Sequence, residues 1–112
     1  RAVCIEINPA LIERARENAL REGVANRIKF MNADFFEVSI ADATIVYMYL
    51  LTSVNKALKP KLEAELAQGT KVISLDFEIP GWSPTRMISL VTPSRTGILY
   101  LYIIGETSGE FD

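Results

Sequence analysis

Ala2-Val3-Cys4-Ile5-Glu6-Ile7-Asn8-Pro9 is the stretch on which the fold turns. Residues 2–5 form a continuous apolar run that ends at Glu6 and is too short for a helix. A run of this kind suits a strand buried on both faces of a parallel sheet. Asn8 and Pro9 then signal a helix start, with Asn as N-cap and Pro at the first helical position. Leu11, Ile12, Ala15, Ala19 and Leu20 follow at helical spacing, and Glu13, Arg16, Glu17 and Arg21 fall largely on the other side. Glu17 and Arg21 have the favourable i,i+4 order. Gly23 ends the helix as a left-handed C-terminal residue does. Strand, short loop and helix together open an α/β unit.

The pattern continues outward from there. A second strand fits 27–31, followed by Asn32-Ala33-Asp34, and 35–42 reads as a connection. A third strand over 43–48 is almost wholly apolar. A helix follows over 52–66, with Pro60 predicting a break into two short pieces. Leu58, Leu62 and Leu66 line one face of the second piece, and Gly69 ends it. A fourth strand fits 70–75, before Asp76-Phe77-Glu78 and a loop marked by Pro80, Gly81 and Pro84 around Trp82. Strands over 87–91 and 98–104, joined by the turn-rich 92–97, read as a terminal antiparallel pair. The polar residues 106–112 read as frayed. Alternating units followed by a hairpin predict an α/β fold with a mostly parallel, Rossmann-like sheet and one antiparallel strand near an edge.

Composition narrows the chemistry. The 112 residues make one domain at most, with 49% hydrophobic and 23% charged residues, a globular balance. A net charge of -2 with interspersed signs leaves no electrostatic footprint for a polyanion, so nucleic acid is not an expected partner. There is no histidine, which removes the commonest general base, the commonest metal ligand and every Ser–His or Cys–His nucleophile. No metal site is expected. The one cysteine, Cys4, sits in an apolar run and reads as a buried structural thiol. No apolar stretch approaches a membrane span and no signal peptide is visible, so a cytoplasmic protein is expected.

Ligands of open α/β sheets lie beyond the carboxyl ends of the strands. Glu6, Asp34 and Asp76 stand at such ends. A carboxylate there can accept hydrogen bonds from the ribose hydroxyls of a nucleoside, and one at the next strand can accept from the exocyclic amine of adenine. Glu6 carries the ribose reading most strongly, its alternative being a solvated acid favouring the N-terminus of the next helix, while Asp34 is equally open to reading as a turn cap.

The segments 2–7 (AVCIEI), 32–37 (NADFFE) and 50–55 (LLTSVN) resemble the class I S-adenosylmethionine-dependent methyltransferases, as do 58–62 (LKPKL) and 77–82 (FEIPGW). Within that group they are similar to the small archaeal protein-lysine methyltransferases related to the DOT1-type enzymes. The first two motifs are generic to class I; the last three are more specific to the lysine-methylating group. The resemblance implies S-adenosyl-L-methionine as cofactor, Glu6 with Ile7 at its ribose, and Asp34 with Phe35 at its adenine. It implies the seven-stranded sheet of order 3-2-1-4-5-7-6. It also implies a first strand, a glycine-rich loop and a first helix that these residues do not contain; no Gly-x-Gly occurs among them. The chain is therefore expected to be a partial methyltransferase domain.

In that sheet order the first family strand lies between the strand of 2–7 and that of 43–48. Without it, two apolar strands expose unpaired backbone. Three outcomes are expected: the part exists on the native protein, the two strands close on each other, or an oligomer or strand swap fills the gap.

Tyr47 to Leu50 occupy the end of the fourth family strand, where class I enzymes present the acceptor. Methyl transfer to nitrogen is an in-line displacement at a sulfonium carbon, so positioning and exclusion of water matter most. A lysine amine must lose its proton, and burial by aromatic walls lowers its pKa. Tyr49 reads as an acceptor-channel residue or as core, and Trp82 as a cover of the channel mouth or as a loop aromatic on the sheet. Asp76 and Glu78 read as groups that attract the lysine or accept its proton, or as ordinary surface acids. Phe35, Phe36 and Phe77 read as core rather than site. The Asn/Asp-Pro-Pro-Tyr/Phe signature of base-amine methylation is not present at 47–50. Two other readings stay open: a nicotinamide dehydrogenase, which Glu6 would serve equally well, and a non-catalytic packing module.

Overall fold

Asn8 caps the first helix as its position in the sequence requires. Its Oδ1 accepts from the Ala10 and Leu11 N–H groups at 2.9 and 3.4 Å, and Pro9 takes the first helical position. The helix α1 (Pro9–Arg21) follows strand β1 (Ala2–Glu6) and leads through Gly23, at φ 74°, to strand β2 (Ile28–Asn32). These coordinates come from a computed structural model, which describes residues 1–107. Beyond β2 come β3 (Ile45–Met48), α2 (Thr52–Glu65), β4 (Lys71–Leu75), β5 (Arg86–Val91) and β6 (Thr96–Ile103). No helix among the described residues is long and apolar enough to cross a membrane, and they hold no group of three or more His, Cys, Asp or Glu side chains placed to bind a metal.

The strands form two separate sheets, β1-β2 and β3-β4-β6-β5. β1 runs parallel to β2 with Glu6 opposite Asn32. β3 runs parallel to β4, while β6 is antiparallel to both β4 and β5. This is the expected mixture of parallel units with a terminal antiparallel hairpin. β1 and β3 are each an edge strand of their own sheet. The chain divides into two compact units, Arg1–Val38 and Ser39–Asp112.

In the first unit, α1 packs on β1 and β2, with Ile12 and Ala19 buried and the Arg16 guanidinium 4.9 Å from the Phe30 ring centre. β1 is not buried on both faces: Val3 is 58% exposed. A two-stranded sheet with one helix has only one covered face, and the pattern of an interior strand is left half unpartnered. Cys4 is accordingly half-buried rather than buried; burial first, then the charge of Glu6, pushes its thiol pKa up.

The second unit has a dense core of Met48, Leu58, Leu62, Val72, Ile79 and Tyr102. β3 alternates, with Val46 and Met48 buried and Ile45 and Tyr47 exposed. The predicted break at Pro60 does not occur, and α2 runs through it. Proline removes one N–H, freeing the carbonyl of Lys56, but Lys56 and Pro60 both lie on the solvent side where water can satisfy it. An interior proline costs about 3 kcal/mol. Continuity of the helix buries Leu58 and Leu62 completely, each worth about 2 kcal/mol, so burial prevails. The Ile40 N–H donates to Glu65 at 2.9 Å and Lys61 pairs with the same carboxylate at 2.7 Å, tying the chain before β3 to the end of α2. Of the tail expected to fray, 108–112 lie outside the described residues. Glu106 and Thr107 are tied, the first by its N–H to Ile103 and the second by its carbonyl to the Ser83 N–H.

Candidate functional site

The parallel register brings the carboxyl ends of β1 and β2 to one edge of the first unit. Glu6 ends β1, and its Oε2 accepts the Asn8 N–H at 3.0 Å. Asp34 lies just past β2, and its Oδ1 accepts the Phe36 N–H at 2.9 Å, capping a 3-10 turn over Phe35–Glu37. Both acids therefore hold local backbone with one oxygen, as their alternative readings required. The other oxygen of each has no donor among the described residues, and both side chains are half-buried. Asn32, which sequence reasoning did not single out, fixes this edge. Its Nδ2 donates to the carbonyls of Glu6 and Ile7, each at 3.0 Å, and locks the turn after β1. Ile7 is exposed and Phe35 half-buried beside the acids, both accessible to a flat apolar group. Phe36, expected in the core, is exposed; as the middle residue of a three-residue turn it has no packing layer above it. Two carboxylates with free lone pairs on a sheet edge suit the hydroxyls and amine of an adenine nucleoside, so these residues fit the nucleoside part of S-adenosylmethionine.

The second unit gathers a different cluster past β3 and β4. Tyr49 follows β3, is 55% exposed, and stacks on Phe77 with ring centres 6.2 Å apart. Phe77 thus belongs with this cluster and is only half-buried, not core. Asp76 follows β4 in the left-handed region, at φ 67°. Its N–H donates to the Ile98 carbonyl at 2.7 Å, and its Oδ1 accepts the Ile98 N–H at 3.1 Å. Its Oδ2 pairs with the Arg95 guanidinium, whose carbon lies 5.8 Å from the Tyr49 ring centre. The Arg95 hydrogen bond, then that from Ile98, holds the Asp76 carboxyl below the usual aspartate range. A carboxylate so stabilised is a weak base, so the part of the Asp76 expectation that made it a proton acceptor is disfavoured. Its attraction for a cation is retained.

Glu78 has an exposed side chain, and its carbonyl accepts from Asn55 Nδ2 at 3.1 Å. Trp82 lies apart from the Tyr49 cluster in its partners. Its indole N–H donates to Glu63 at 2.8 Å, its ring packs 5.6 Å from Tyr102, and only 7% of it is exposed. It is a core residue of the second unit, and the expected cover of a channel mouth is corrected accordingly.

Asn55 is the main residue that sequence reasoning missed. It is wholly buried in α2, and its Nδ2 reaches the carbonyls of Phe77 and Glu78 at 3.1 Å each and Ser74 Oγ at 3.3 Å. Ser74 Oγ in turn donates to the Phe77 carbonyl. The chain after β4 is thereby pinned to α2. Asn55 Oδ1 is buried without a partner among the described residues. One signal was present: asparagine is a poor helix former, and a position inside an amphipathic helix needs a reason.

Comparison with known proteins gives the family. Residues 1–86 match the family model of the ANTKMT methyltransferase domain. The chain is 47% identical over 106 residues to a protein-lysine N-methyltransferase of Saccharolobus islandicus, covering 95% of this chain and 66% of that protein. It is 36% identical over 87 residues to the mouse adenine nucleotide translocase lysine N-methyltransferase, covering 78% of this chain and 38% of that one. Among solved structures it is similar to an RNA methyltransferase of Salinibacter ruber in complex with S-adenosyl-L-homocysteine. That match has a TM-score of 0.84 and 42% identity, over 98% of this chain and 69% of the other. The chain thus spans about two thirds of the archaeal relative and about four tenths of the mouse one. The Rossmann-like methyltransferase fold sets the nicotinamide reading aside, and the chain belongs to the ANTKMT methyltransferase domain family.

Proposed function

We propose that the protein transfers methyl groups from S-adenosyl-L-methionine to lysine side chains of a protein substrate. The observation that carries this is the family match over residues 1–86, which includes the acidic edge and, of the Tyr49 cluster, Tyr49, Asp76 and Phe77. Glu6 accepts hydrogen bonds from the cofactor ribose, Ile7 lies against it, and Asp34 and Phe35 meet the adenine. The bound cofactor supplies an electrophilic methyl on a sulfonium. Tyr49 and Phe77 line the approach of the lysine, Asp76 attracts its charge, and Asn55 holds the backbone of Phe77 and Glu78 in place. Glu78, whose side chain is exposed, is the acid that takes up the lysine proton in this reading. The free edges of β1 and β3 favour addition of a further strand at each, from elsewhere in the protein or from a second copy. A cytoplasmic setting remains part of this reading, in keeping with the interspersed charges and the net charge of -2.

The test is transfer of labelled methyl from the cofactor to mixed cellular protein and RNA by the intact protein, with calorimetric binding of S-adenosylhomocysteine alongside. Label on protein that hydrolyses to methyl-lysine is the expected result. Label on RNA alone would transfer the assignment to the class named for the Salinibacter structure. Absence of both label and binding would leave only a packing role.

A further inference from the structure

The turn between β5 and β6 delivers one side chain to the Tyr49 cluster, and three separate features hold it there. Thr92 closes the turn on Arg95: the two residues exchange N–H to carbonyl bonds of 2.8 and 3.3 Å, and the Thr92 hydroxyl accepts the Arg95 N–H at 3.1 Å. Gly97 lets the hairpin approach closely, because a Cβ there would stand 2.5 Å from Asp76 Oδ1. Asp76 itself adopts a left-handed backbone, which is uncommon without glycine and turns its carboxylate onto the hairpin. The result is a guanidinium bonded to a carboxylate and lying beside an aromatic face.

A carboxylate together with a π-face is the environment in which an alkylammonium ion is best held outside water. The Arg95 side chain is 40% exposed and the Asp76 side chain 21%, so the arginine can leave for solvent without opening the core. We infer that Arg95 is a built-in competitor for the acceptor cation: its guanidinium fills the Asp76–Tyr49 subsite that a substrate lysine takes. This rests on the acceptor roles proposed above for Tyr49 and Asp76. A free amine displaces the tethered arginine poorly, whereas a lysine carried on a docked protein displaces it with the help of its other contacts. Arg95 therefore selects protein-borne lysine over small amines.

The probe is butylammonium, titrated into the intact protein and followed by the NMR signals of the Tyr49 ring. Arg95→Ala and Arg95→Gln should bind it roughly tenfold more tightly than the parent, the scale of one cation–π contact in a partly desolvated site. Arg95→Lys, which keeps a tethered cation, should stay as weak as the parent. Adding Asp76→Asn to Arg95→Ala should abolish the gain. Equal binding by parent and Arg95→Ala, or a gain that survives Asp76→Asn, overturns the inference. Trp82 fluorescence, which reports the core of the second unit, should be unchanged in every variant that is compared.

Methyl transfer on the same proteins separates the two claims. Under the inference, Arg95→Ala lowers KM for a lysine peptide and keeps kcat; a fall in kcat at constant KM makes Arg95 a positioning residue and overturns it. If no protein transfers methyl while butylammonium responds as stated, the methyltransferase reading falls and the cation subsite stands.

Discussion

The two units divide the work unevenly. Residues 1–38 carry the acidic edge on a two-stranded sheet and one helix, and their buried apolar side chains are Ile12 and Ala19 alone. The second unit carries the aromatic cluster on a four-stranded sheet, with Leu58, Leu62, Val72 and Tyr102 wholly buried. A two-stranded sheet is marginal by itself, while three or more strands with a packed face sustain a fold. Order in the first unit accordingly comes from polar devices at its edge: the local Asn8 cap and Asp34 turn, and the Asn32 clamp that joins β2 to the turn after β1. In the second it comes from the core and from Asn55, whose bonds cross about twenty residues of sequence.

The sharpest way to break this contrast is Asn55→Asp. It puts a carboxylate against the carbonyls of Phe77 and Glu78 in a fully buried position. A buried charge without a partner costs about 3–5 kcal/mol. Urea unfolding followed by Trp82, the only tryptophan and a residue of the second unit, should show a loss of that size. A change below about 1 kcal/mol would mean that water reaches Asn55 and that the second unit is not held as described.

Next in size is Glu6→Gln, which tests whether the polar devices of the first unit serve a ligand. The amide keeps an acceptor for the Asn8 N–H but offers weaker hydrogen bonds to a ribose. Hydrogen bonds to charged groups contribute about 1.5–3 kcal/mol, so S-adenosylhomocysteine should bind the intact variant ten- to a hundredfold more weakly, with Trp82-detected stability unchanged. Undiminished binding would reduce Glu6 to its local role beside the helix N-terminus.

What was legible in the sequence follows the same divide. The strand of 2–6, the Asn8–Pro9 cap and the strand-end placement of Glu6 and Asp34 depend on near neighbours and are found as expected. The terminal hairpin was also legible, from its turn residues. Pro60 misled because the cost of an interior proline is local, whereas the burial that offsets it comes from Leu58 and Leu62 meeting the sheet. Asn55 and Arg95 were not legible as site-forming groups. Their partners are brought to them by the β4–β6 ladder and the turn before β6, which no local pattern specifies. For Trp82 the sequence left two readings open, a channel cover or a loop aromatic on the sheet, and the fold of that loop onto Tyr102 gives the second.

A smaller effect lies in the pH dependence of the hairpin. Asp76 has its pKa lowered by Arg95 and by the Ile98 N–H, so the folded state binds the proton less readily than the unfolded chain. Its contribution is then fully present above the ordinary aspartate pKa of about 3.9 and is lost as the pH falls through the lower folded value. Amide exchange at Gly97 and Ile98 should speed up in acid before exchange in β4 does, and Asp76→Asn should remove that early step. Simultaneous loosening of both would show that the turn and the core of the second unit are one cooperative element.

The smallest expected effect is the most direct test of the comparison. Val3 is apolar, in mid-strand and mostly exposed. Threonine has a similar shape and strand preference, so Val3→Thr on an uncovered strand should change stability by no more than about 0.5 kcal/mol. The measurement is amide exchange in β1 and β2, which reads the first unit without the tryptophan. On a strand covered by another element the same change places a hydroxyl in an apolar layer and costs about 1–3 kcal/mol. Performed on the intact protein, the substitution therefore reports whether β1 is finished or covered. A cost in the upper range would mean that the slender core of the first unit is completed from outside residues 1–38, and that the unevenness between the units belongs to this stretch of chain and not to the native fold.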